Sequence, residues 1–166
     1  MAVLPILTWP HPCLTTVCAP VGRADVSALV ADMLETMYAA TGRGLAAPQV
    51  GVSLRLFVMD VAWKNGPPAP FVCIDPEILS RSETKATGPE GCLSIPGVLA
   101  DVPRANEITL SWTGLDGQRH TETLTGFTAI CAQHEYDHLD GIVTLDRLTP
   151  DARRMAEAVY ADRSIA

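Results

Sequence analysis

A chain of 166 residues that is 48% apolar can bury one core without staples and needs no second domain, so residues 1–166 are expected to form a single domain. Its formal charge of −7, with the 12 basic residues scattered, argues against sequence-specific nucleic-acid binding, and the absence of any run of about 18 apolar residues argues against a membrane span. Cys13, Cys18, Cys73, Cys92 and Cys131 form an odd set with no CxxC pair, and Met1-Ala2-Val3-Leu4-Pro5 meets proline before a signal helix could form; both features predict a cytoplasmic protein.

In chain order, a turn at Gly22-Arg23-Ala24 leads into residues 25–38. There Val26, Leu29, Val30, Met33, Leu34 and Met37 recur at three- and four-residue steps and predict an amphipathic helix. A glycine-rich stretch follows, Gly42-Arg43-Gly44-Leu45-Ala46-Ala47-Pro48-Gln49. Residues 54–61, 71–79, 98–102, 107–112 and 120–124 read as strands, with turns at Asn65-Gly66-Pro67-Pro68 and Leu115-Asp116-Gly117. Between the second and third of them stands Pro89-Glu90-Gly91-Cys92-Leu93-Ser94-Ile95-Pro96, in which Gly91 allows close approach to the cysteine and Pro96 is expected to end the segment. Thr125 can cap a helix that stops at Gly141, with Phe127, Ile130, Cys131, His134 and His138 on its core-facing stripe. A last helix is expected over residues 150–160. This order of elements predicts an α+β fold, with antiparallel or mixed sheet around the helix that ends at Gly141.

The chemistry lies in Gln133-His134-Glu135-Tyr136-Asp137-His138. On a helix, imidazoles four residues apart share a face and can bind one metal ion, while Glu135 sits about 100° round the axis, within reach of a water at that ion. The bland alternative is a solvated helix that carries HExxH by chance. Here the histidines continue an apolar stripe, and burying unpaired imidazoles would cost on the order of 1–3 kcal/mol apiece, which a shared metal would avoid. The third ligand separates enzyme types. The metzincin continuation puts Thr144 where a third histidine belongs and fails. Glu157 would give a thermolysin-like set, although Asp151, Arg153 and Arg154 around it read equally well as a solvated face. Cys92 is the stronger candidate, because one cysteine and two histidines leave a fourth tetrahedral position open; its bland reading is a small buried hydrophobe.

Three segments in register, at 42–49, 90–94 and 133–138, resemble the GxGLAAPQ, EGCLS and QHExDH motifs of the peptide deformylases, and the likeness runs over nearly the whole chain. The resemblance implies a metal-dependent hydrolase with a deformylase-like α+β fold that removes the formyl group from the N-terminal methionine of newly made polypeptides. It implies one divalent ion on Cys92, His134 and His138, iron(II) in the cell, with zinc, nickel or cobalt able to replace it. Glu135 would be the base, and the Gln49 side-chain amide and Leu93 backbone N–H would be the donors to an oxyanion. Gly44 would pair with an extended peptide, Arg43, Gly88, Phe127, Ile130 and Cys131 would border its first side chain, and Glu90 and Arg104 would brace the cysteine loop. The implied partners are N-formyl-methionyl peptides and, transiently, the ribosome.

Two positions depart from the family's habit. Arg43 replaces a branched apolar residue, and Gly88 is smaller than the apolar residue some members carry. An arginine flanked by glycines is expected to lay its methylenes along the pocket and its charge in water. An auxiliary deformylase-like paralogue with altered substrate or a binding role, and a general HExxH metallopeptidase, are the alternative functions.

Overall fold

Residues 1–163 are described by the computed structural model. The helices are α1 (Ser27–Ala39), α2 (Gly126–Leu139) and α3 (Pro150–Arg163). The strands are β1 (Gly44–Ala46), β2 (Leu56–Met59), β3 (Phe71–Arg81), β4 (Lys85–Cys92), β5 (Ile95–Ala105), β6 (Glu107–Thr113) and β7 (Arg119–Thr125). One antiparallel sheet has the order β1-β2-β3-β6-β7, and β4 and β5 form a separate antiparallel hairpin. The architecture is α+β, as expected.

Strand β2 shows why the sheet is the centre of the fold. Its four residues, Leu56-Phe57-Val58-Met59, are all apolar and all buried. Successive side chains of a strand point to opposite faces. Leu56 and Val58 pack with Val30, Met33 and Met37 of α1, whereas Phe57 and Met59 pack with Ala129, Ala132 and Leu139 of α2. With both faces covered, each such side chain contributes about 1.5–3 kcal/mol of burial, and no polar residue interrupts the run.

Helix α2 is covered twice, by the sheet and by the hairpin. Gln133 clamps β5 by donating from Nε2 to the Ala105 carbonyl at 2.9 Å and accepting the Ala105 N–H at 3.2 Å. Gln133, His134, Glu135, Asp137 and His138 are therefore all buried, while Phe127, expected on the core face, is 51% exposed at the first turn. Thr125 holds the N-cap position, but its side chain makes no capping bond; the Gly126 N–H instead donates to Asn106 O at 3.1 Å. Gly141 ends the helix at φ 73°, and a Cβ there would lie 2.7 Å from the Thr15 backbone, so only glycine fits.

The hairpin differs most from expectation. Lys85–Cys92 is rich in residues depleted from strands, which hid β4, and Pro96, Gly97 and Pro103 shortened the expected span of β5. Pro96 does not end the segment. It is the second residue of β5, and the chain reverses through Leu93-Ser94 between the paired Cys92 and Ile95. The tip is anchored by a third cluster, in which Ile95 and Val98 meet Leu14, Leu145 and Ala156, and by the Trp9 N–H donating to Ser94 O at 2.9 Å.

Candidate active site

Cys92 ends β4 beside the hairpin turn, and His134 and His138 lie one turn apart on α2. Their ligand-type atoms all lie within 4.8 Å of one another. Metal bonds of about 2.3 Å to sulfur and 2.0–2.1 Å to nitrogen, at a tetrahedral angle, separate two ligand atoms by roughly 3.5 Å. Cys92 Sγ stands 3.5 Å from His138 Nε2, which meets that requirement. His134 Nδ1 lies 2.9 Å from Glu90 Oε1, so Nε2 is the nitrogen left for an ion.

Electrostatics agree with the distances. Burial alone would raise the Cys92 thiol, but the His138 and His134 imidazoles overcome it and hold the thiol well below its usual range. Burial would likewise lower His134, yet Cys92 and Glu90 hold it well above the ordinary imidazole value. Both directions favour positive charge beside a sulfur that is readily deprotonated, and thiolate is the ligating form. The donor set of one thiolate and two imidazoles suits a divalent transition ion. Glu157, the other candidate ligand, is outside this group; its carboxylate accepts from Arg153 Nε at 2.9 Å along α3.

Glu90 and Arg104 form a two-pronged pair, Nε to Oε2 at 2.9 Å and Nη2 to Oε1 at 3.0 Å. Arg104 also reaches Asp137 at 2.6 Å, and Asp137 accepts from Arg147 at 2.8 and 3.1 Å. A surface pair contributes about 0–1 kcal/mol. This one is 5% and 9% exposed, and removing one partner of a buried pair costs about 3–5 kcal/mol. Arg104→Met is accordingly expected to lower the unfolding free energy of the metal-free protein by about 3–5 kcal/mol in a denaturant titration; a loss below about 1 kcal/mol would return the pair to surface status. That Asp137 and Arg147 join this network was not foreseen, since the chain reversal after α2 is what brings them together.

Gln49 sits in a 3-10 turn at Ala47–Val50 and is 1% exposed. Its Oε1 accepts the Ala46 N–H at 2.9 Å, and its Nε2 donates to Ser94 Oγ at 3.0 Å and lies 3.7 Å from Cys92 Sγ. Ser94, unremarked in the sequence beyond its place in the cysteine segment, thus orients the amide. Glu135 is buried with Oε2 unpartnered, and that burial raises its pKa although His134 and His138 pull it down. A Cβ on Gly44 would lie 2.5 Å from Glu135 Oε1, so only glycine lets the carboxylate come this close.

Strand β1 is an edge, paired on one side only. The Asp60 N–H donates to Arg43 O at 2.8 Å, and the register pairs Gly44 with Met59. Antiparallel pairs alternate, so the Gly44 N–H and C=O turn away from β2 towards the free side. There lies a cavity of about 630 Å³, bordered by Arg43, Gly44, Gln49, Glu90, Cys92, Leu93, Phe127, Ile130, Cys131, His134 and Glu135. Gly88 is not among its lining residues. It pairs with Val102 in the hairpin, two residues before Glu90 on the same strand, and a Cβ there would meet nothing within 4 Å. Thr41 and Lys64 border the cavity and were not foreseen. The Arg43 guanidinium rests 5.4 Å from the Phe127 ring centroid, with Nε buried and unpartnered while its terminal nitrogens keep access to water.

Residues 3–154 match the family model of polypeptide deformylase. A peptide deformylase of Alkalilimnicola ehrlichii is 49% identical over 156 residues, covering 93% of this chain and 86% of its own. Peptide deformylase 2 of Xanthomonas campestris pv. campestris is 46% identical, with 97% of this chain and 96% of its own covered. Among solved structures, a peptide deformylase from Legionella pneumophila superposes with a TM-score of 0.92 at 38% identity, over 98% of this chain and 96% of that one. One from Synechococcus elongatus, in complex with actinonin, gives 0.90 at 34% identity over 95% and 88%. The chain therefore belongs to the polypeptide deformylase family.

Proposed function

We propose that the chain is one catalytic domain, residues 1–166, that hydrolyses the N-formyl group from the N-terminal methionine of newly made polypeptides and releases formate. The observation that carries this reading is the meeting of Cys92, His134, His138, Glu135 and Gln49 at a groove walled by the free edge of β1. Cys92, His134 and His138 would hold one divalent ion, iron(II) by family resemblance, with zinc, nickel or cobalt able to take its place. Such an ion supplies acidity, lowering the pKa of a water from about 15.7 to about 7 in favourable sites.

The chain's own residues do the rest. An extended formyl-peptide adds to β1 through the Gly44 N–H and C=O. Glu135 accepts the proton of the attacking water, a task suited to a buried carboxylate whose proton affinity is raised. As attack on the formyl carbon makes the carbonyl an oxyanion, Gln49 Nε2 and the Leu93 N–H donate to it, and each such donor contributes about 2.7–4 kcal/mol. Glu135 then gives the proton to the leaving amine nitrogen, so that formate and a free N-terminus result.

Gly44→Ala tests the contact that brings Glu135 to the strand edge. The added Cβ would lie 2.5, 2.8 and 2.9 Å from Glu135 Oε1, Cδ and Cγ, so the buried side chain must shift from Cγ outward. A shift of about 1 Å in a reacting group costs on the order of 10²-fold, so kcat is expected to fall about a hundredfold, with Tm lowered by the repacking as well. Retention of full activity would remove Glu135 from the base role.

Among the described residues no helix is long and apolar enough to cross a membrane, and we assign the activity to the cytoplasm, in transient contact with the ribosome. The deciding experiment incubates the protein with a formyl-Met peptide and with the same peptide unblocked, and weighs the products. Loss of the formyl group with every peptide bond intact is expected. Cleavage within the chain would favour a general metallopeptidase instead.

A further inference from the structure

Five of the chain's basic side chains are neutralised by carboxylates, and the two that border the cavity are among those that are not. Arg55, Arg104, Arg147, Arg153 and Arg154 each hold a carboxylate, and Arg119 holds the Asp75 carbonyl. The side chains of Arg43 and Lys64 have no ion pair or hydrogen bond among the described residues; each rests on an aromatic ring, Phe127 at 5.4 Å and Trp63 at 5.7 Å. A chain of net charge −7 thus keeps two unneutralised cations at the border of this cavity. Arg43 Nε is buried without a partner, a condition that a ligand oxygen on the same guanidinium would offset in charge.

The place of Arg43 along the groove fixes what it meets. Helix α2 runs outward from His134 and Glu135 through Cys131 and Ile130 to Phe127, which is 51% exposed at the mouth with the Arg43 guanidinium over it. A substrate held as a strand turns side chains one and three to the same face, about 7 Å apart. With the first side chain against Ile130 and Cys131, the third would reach Phe127 and the Arg43 guanidinium, two groups that the family resemblance had placed beside the first.

We infer that Arg43 makes the protein select formyl-peptides that carry a carboxylate side chain at the third residue. The inference rests on the deformylase reading above. Asp or Glu there meets the guanidinium across a partly dried mouth, whereas Lys meets a like charge. The second side chain points to the opposite face and is the internal control.

The test compares kcat/KM for four amidated peptides, formyl-Met-Ala-Glu-Ser, formyl-Met-Ala-Lys-Ser, formyl-Met-Glu-Ala-Ser and formyl-Met-Lys-Ala-Ser, in the wild type and in Arg43→Gln. At low salt the wild type is expected to prefer Glu to Lys at the third position by about five- to tenfold, and less at the second. Arg43→Gln and high salt should each bring the third-position ratio to within about twofold of unity. A wild-type ratio near unity, or one that survives Arg43→Gln, overturns the inference while formate release upholds the deformylase reading. No formate from any peptide overturns both.

Discussion

Glu135→Gln is expected to leave fold and bound metal in place while lowering kcat about 10²–10⁴-fold, the usual contribution of a positioned acid–base group. The amide keeps the shape that packs against Gly44 but cannot take a proton from water. Little stability should be lost, because Glu135 Oε2 has no partner and the nearest opposite group, His134 Nε2, is 3.9 Å from Oε1. Glu157→Gln is the control. Its carboxylate is half-exposed and bound to Arg153, a pair worth about 0–1 kcal/mol, so activity should hold within twofold or so. Steady-state kinetics with metal analysis of both variants checks this, and the reverse pattern would put the base on α3.

Metal removal should have the other large effect. An ion that binds only the folded chain stabilises it by about 4.1 kcal/mol when free ion stands at about 1,000 times its Kd. For a chain of this size that corresponds to roughly 8–16 °C in Tm. Scanning calorimetry of the loaded protein with and without a chelator is expected to show that drop, together with complete loss of turnover. Cys92→Ala should abolish the chelator's effect on Tm, because losing a ligand costs more affinity than the roughly 10–100-fold that losing an outer partner costs. A wild-type Tm indifferent to the chelator would show that no ion is held in the folded chain.

The parts of the site that were legible in the sequence were local. His134, Glu135 and His138 announce themselves because helical periodicity alone brings two imidazoles to one face. Cys92, 46 residues away from His138, has no such local signature; ligand chemistry favoured it over Glu157, and the motif resemblance supported it. The contacts that tune the site were not legible at all. That Gly44 abuts Glu135, that Ser94 holds Gln49, and that Arg147 continues the line from Arg104 through Asp137 follow only from how α2 lies between the sheet and the hairpin. The same double coverage explains why a single core-facing stripe misdescribed α2 and why Phe127 stands at the mouth. For the fold, strands with alternating or continuous apolar residues were found to within a few positions, as with β3 and β6. β4 escaped because Gly88, Pro89 and Gly91 read as a loop, and its strand character comes from its pairing with the long β5.

The most direct measurement is anomalous diffraction at the iron edge from crystals grown and loaded without oxygen. The expected result is one strong peak bonded to Cys92 Sγ and to an imidazole nitrogen of His134 and of His138, at about 2.3 Å and 2.0–2.1 Å, with Glu135 beside it. A fully loaded crystal with no peak at these three side chains, or with the ion held by Glu157 in place of Cys92, would contradict the assignment.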